Sequence, residues 1–66
     1  MKATVIEVAE NLIYLQIGDQ LRFKAPFETD TEPVFPRRTD TVDFDFRHAQ
    51  MPVVIIHSVF QPRSRR

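Results

Sequence analysis

The residues whose types could do chemistry fall into three groups. The stretch "NLIYLQIGDQLRFKA", residues 11–25, carries Tyr14, Gln16, Arg22 and Lys24. An aromatic ring stacks on a nucleic-acid base, and Arg and Lys neutralise phosphates. The same residues also suit the wet side of a strand pair, with Tyr14 covering aliphatic stems, and Glu7 on that face partly cancels its field. The tail "QPRSRR" holds Arg63, Arg65 and Arg66 with no acid. Arg-rich ends bind nucleic acid or acidic partners, or serve only to solubilise. The third group is acidic. Residues 28–45 contain Glu28, Asp30, Glu32, Asp40, Asp43 and Asp45 against Arg37 and Arg38 alone. Opposite charges so close balance one another on a surface, and this is the preferred account of the two arginines.

Metal and catalytic chemistry find little here. The chain has no Cys, which removes thiolate zinc sites and disulfides. His48 and His57 lack the i, i+4 spacing of a helical zinc pair. Asp40, Asp43 and Asp45 lack the Gly-containing loop of a dedicated calcium site. Pairing His57 with Asp43 would mimic a catalytic dyad, yet the downstream hydroxyls are only Ser58 and Ser64, and so small a domain offers little room for a cleft. The expectation is a non-enzyme with no cofactor and no metal.

These groups must be positioned by a chain of 66 residues with nine basic and nine acidic side chains, net charge zero. A domain of that length buries only about 60% of the surface its unfolded chain exposes, so it gains from a partner or a second copy. Neutrality argues against nucleic-acid binding through the whole surface and leaves room for a local patch. No apolar run reaches the ~20 residues that span a bilayer, and "MKATVIEVAE" does not read as a signal peptide. A cytoplasmic setting is expected.

β-Branched and aromatic residues dominate the apolar set and favour strands. Five are predicted, at 3–9, 11–17, 21–26, 41–47 and 52–60. A two-residue turn at Glu10-Asn11 pairs Ala9 with Leu12, Val8 with Ile13 and Ile6 with Leu15. Unbroken alternation then turns Thr4, Ile6 and Val8 inward and Val5 and Glu7 outward. A three-residue turn at Gly18-Asp19-Gln20 pairs Ile17 with Leu21, Leu15 with Phe23 and Ile13 with Ala25. It sets Tyr14 across from Lys24 and Gln16 across from Arg22. "TVDFDFRH" alternates with Val42, Phe44 and Phe46 inward. "PVVIIHSVF" is apolar on both sides, with Val53, Ile55 and Val59 on one and Val54, Ile56 and Phe60 on the other. A strand of that kind is covered twice, here by Phe27, Val34 and Phe35 of the long connection or by another molecule. If five residues join the last two strands, His57 faces outward opposite Asp43. If four do, it turns inward opposite Val42.

The expected fold is all-β, a small five-stranded antiparallel barrel of residues 1–61. It would be OB-like first and SH3-like second, with a long irregular loop between strands three and four and a flexible basic tail at 62–66. Its expected function is binding of single-stranded RNA or DNA. Tyr14, Gln16, Arg22 and Lys24 form the platform, and Arg63, Arg65 and Arg66 add nonspecific attraction. The alternative is a protein-interaction module that self-associates, as a dimer, or binds a partner protein through Phe27, Val53, Ile55, Val59 and the acidic loop.

Overall fold

A computed structural model describes residues 1–30, 35–47 and 50–62. Five strands run in the order β1 (Lys2–Ala9), β2 (Leu12–Ile17), β3 (Leu21–Thr29), β4 (Thr41–Arg47) and β5 (Val53–Phe60). They close into a barrel with neighbours β1-β2-β3-β5-β4 and β4 paired back to β1. No helix occurs among the described residues. The architecture is the expected small all-β barrel, and it is compatible with an OB-like or SH3-like assignment. One pairing differs from an antiparallel set: β3 and β5 are parallel, with Phe27 opposite Val54 and Thr29 opposite Ile56. A closed ring with an odd number of strands cannot alternate direction throughout, so one neighbouring pair must be parallel.

Both short turns set the predicted pairs beside them. Ala9 faces Leu12 and Val8 faces Ile13. Ile17 faces Leu21, Leu15 faces Phe23 and Ile13 faces Ala25. Gly18 opens the second turn at φ 63°, where an added Cβ would meet nothing within 4 Å. Glycine is favoured there by its backbone angle and not by lack of space.

Alternation breaks at two β-bulges, and both correct the predicted faces. In β1, Val5 lies opposite Leu15 and Glu7 opposite Tyr14, which leaves Ile6 as the extra residue. Val5 is therefore core, 1% exposed, whereas Thr4 is exposed and Ile6 is half-buried. In β5, Ser58 lies opposite Asp43 and Ile56 opposite Phe44, so His57 is the extra residue. Val54 and Ile56 are buried, and beyond the bulge Val59 packs against the core opposite Val42 while Phe60 is exposed. An extra residue on one strand reverses the facing of all that follow and tightens the local twist, which helps a small sheet close.

The core centres on Ile13, Leu15, Val42, Phe44, Val54 and Ile56. Phe44 and Phe46 meet edge to face with centroids 5.5 Å apart, and Phe23 lies 6.1 and 5.6 Å from them. Aromatic packing of this kind adds to the area it buries.

The connection returns to β1 through a tight turn. Arg37 N–H donates to the Asp40 carboxylate at 2.9 Å, and Asp40 N–H donates to the Arg37 carbonyl at 3.0 Å. Thr39 sits at φ 77°, a costly angle for a β-branched residue. It is held because Thr39 N–H donates to the Val5 carbonyl and Val5 N–H donates to the Asp40 carbonyl, both at 2.8 Å.

The bulge in β1 makes a direct prediction. Val5→Asn should abolish cooperative thermal unfolding, because it buries an amide in a core that has little stability to lose. Thr4→Asn should shift stability by no more than about 0.5 kcal/mol. The opposite order would restore unbroken alternation in β1.

Candidate nucleic-acid interface

The outer face of β2 and β3 holds the residues singled out in the sequence. Tyr14 pairs across to Lys24, and Gln16 to Arg22. Both pairs arise because the turn at residues 18–20 puts Ile17, Leu15 and Ile13 inside, which sends Tyr14 and Gln16 out. The Lys24 ammonium lies 5.3 Å from the centre of the Tyr14 ring, within cation–π range. Arg22 Nε donates to Gln16 Oε1 at 3.1 Å, and Gln16 Nε2 donates to the Gly18 carbonyl at 2.9 Å. Gln16 thereby fixes the guanidinium against the end of the hairpin.

Glu7 lies opposite Tyr14 on the β1 side. Beside the ring is a pocket of ≈ 90 Å³ lined by Glu7, Ala9, Leu12, Ile13, Tyr14 and Lys24. Ligand clefts run to roughly 300–1,000 Å³, so this surface presents a ring and two cations and does not enclose a substrate. Neither Arg22 nor Lys24 makes an ion pair among the described residues.

The described acids of residues 28–45 are engaged elsewhere. Asp43 Oδ1 accepts from the Met1 amino group at 3.2 Å. Glu28 lies 3.5 Å from Arg47. Asp40 is 3% exposed and caps its own turn. Arg37 and Arg38 are exposed, and neither pairs with Glu28 or Asp30 as the sequence suggested.

His57 is held between two carboxylates. Its Nδ1 is 2.8 Å from Asp30 Oδ2 and its Nε2 is 2.9 Å from Asp45 Oδ2. The hydrogen bonds to Asp30 and then Asp45 raise its pKa above the usual 6.5. The five residues between Arg47 and Val53 do turn His57 outward, but the bulge gives Asp43 to Ser58 and leaves the imidazole to Asp45. The Asp30 contact was missed because it comes from the parallel seam, which strand periodicity does not reveal. No group of three or more metal-ligating side chains occurs among the described residues.

Of the four residues proposed for a partner surface, Phe27 and Val59 pack against the core. Phe27 also meets Phe35, with ring centres 5.7 Å apart. Val53 and Ile55 remain half-exposed on the outer side of β5. The Glu28–Arg47 pair and the Asp30–His57–Asp45 bridge both reach from the β3 side to β4 across β5 there. Val34, Glu32, His48, Arg63, Arg65 and Arg66 lie outside the described residues.

The chain matches no protein-family model, no curated protein and no solved structure. No helix among the described residues is long and apolar enough to cross a membrane.

The Tyr14–Lys24 contact is testable in the free protein. Lys24→Met keeps most of the stem and removes the charge, so it should cost about 0.5–1 kcal/mol. In a domain of this size that is a fall of several degrees in Tm, on a scale of roughly 4–8 °C per kcal/mol. An unchanged melting curve would show that the ammonium does not cap the ring.

Proposed function

We propose that the protein is a non-enzymatic binding module for single-stranded nucleic acid, RNA or DNA, acting through the outer face of β2 and β3. One observation carries this reading. Tyr14 and Gln16 stand directly across from Lys24 and Arg22, and the two cations have no carboxylate partner among the described residues. In the bound state a base stacks on Tyr14, Lys24 and Arg22 meet phosphates, and Gln16 adds a hydrogen bond. Arg63, Arg65 and Arg66 contribute unspecific attraction. Single strands suit the site because stacking needs an unpaired base and a flat platform. The reading places the protein in the cytoplasm.

The alternative is a protein-interaction module using the outer side of β5, alone or as a dimer. Val53 and Ile55 keep it open. Two ionic bridges cross that side, so a partner packing there face to face would have to cover them. The β2–β3 surface is the better supported of the two.

The chain has one tyrosine and no tryptophan, so its intrinsic fluorescence reports on Tyr14 alone. Titration with a short mixed-sequence RNA or DNA strand should quench it, and Tyr14→Ala should weaken binding by roughly 1–3 kcal/mol. Affinity should fall as salt rises. Arg22→Gln with Lys24→Gln should flatten that dependence by ~0.7 in log–log slope for each phosphate no longer neutralised. Binding indifferent to both salt and Tyr14 would overturn the proposal.

A further inference from the structure

We propose that Asp30, His57 and Asp45 form a proton-operated clamp that fastens the parallel β3–β5 seam and releases it when the imidazole loses its proton. The geometry requires a charged ring. Both nitrogens lie within 2.9 Å of carboxylate oxygens, and only imidazolium can donate at both. A neutral ring keeps one N–H and turns a lone pair towards the other carboxylate, which repels it.

The clamp stands at a weakly tied place. The β3–β5 ladder has three paired positions, Phe27, Glu28 and Thr29 against Val54, Ile55 and Ile56. Among the described residues, one backbone bond continues the seam beyond them, from Asp30 N–H to the Ile56 carbonyl at 2.8 Å. His57 follows Ile56 directly and is the extra residue of the bulge, so its imidazole projects where the ladder has slipped. Asp45 is inside β4, fixed opposite Ile55, whereas Asp30 lies just past the end of β3. Asp30 is therefore the side that lets go, and the neutral ring keeps its proton on Nε2 towards Asp45.

The other charged groups nearby do not replace the clamp. On β3, Glu28 pairs with Arg47 of β4. Also on β4, Asp43 lies opposite Ser58 and is taken by the Met1 amino group. Apart from His57, β5 carries no ionisable side chain.

The direction with pH follows from the sign of the shift. The folded-state pKa is raised above 6.5, so folding stabilises the protonated form. The clamp's contribution is fully present below about 6.5 and disappears as pH rises through the higher folded-state value. The seam loosens as pH rises through that folded-state value.

Three measurements on the full chain test this. Assigned side-chain NMR should show His57 titrating above the value of a free histidine, with Nε2 protonated in the neutral form. Asp30→Asn should bring that titration down. Exchange of the Asp30 amide, corrected for its intrinsic rate, should lose protection through the His57 titration while Leu15 in the core does not. His57→Gln should remove the corresponding fall in Tm between about pH 6 and pH 9. If His57→Gln does not fold, the wild-type titration and the Asp30→Asn shift still decide. A His57 pKa at or below 6.5, or Asp30 protection that ignores its titration, would overturn the clamp.

Discussion

Closure with an odd number of strands is the constraint on which the rest of this barrel depends. The ring must contain a parallel pair, and here it is β3 with β5. That pair cannot be joined by a hairpin, so the chain travels through residues 30–40, β4 and the next turn before β5 arrives. The turn at Arg37–Asp40, the docking of Thr39 and Asp40 on Val5, and the ionic bridges across β5 all secure this route. The two bulges serve the same end, since tight curvature over so few strands needs local breaks in the pleat.

Much of this was legible in the sequence where a short turn sets the register. The stretches around Glu10-Asn11 and Gly18-Asp19-Gln20 fixed their neighbours' partners because a turn of known length leaves one apolar match. The bulges were not legible. In "TVIEV" two adjacent β-branched residues fit the core equally well, and nothing in their chemistry says that Val5 enters while Ile6 does not. The same ambiguity moved Val59 inward and Phe60 outward. Each slip changed which polar groups meet, so His57 found Asp45 instead of Asp43. The platform pairs escaped this error because they lie between a well-defined turn and the first bulge.

Zero net charge conceals an uneven division of labour. The described acids of residues 28–45 are occupied by Arg47, His57, the Met1 amino group or a backbone N–H. Their partners are drawn mainly from the β4–β5 side. Arg22 and Lys24, across the barrel wall, are left with a tyrosine ring and a glutamine for company. An overall sum of charges misses such a surface because solvent and salt screen groups separated by more than about 10 Å.

The two seams that close the ring also determine when in the life of the chain each contact appears. β1-β2-β3 and β4-β5 are local assemblies that can form without reference to each other. Joining Ala3 to Val42, or Phe27 to Val54, requires closing long loops, whose entropy slows the step. If closure completes after the rate-limiting barrier, side chains at the seams will change how fast the barrel opens far more than how fast it assembles. The persistence of the folded molecule is then set at its joints, and the speed of its making in its hairpins.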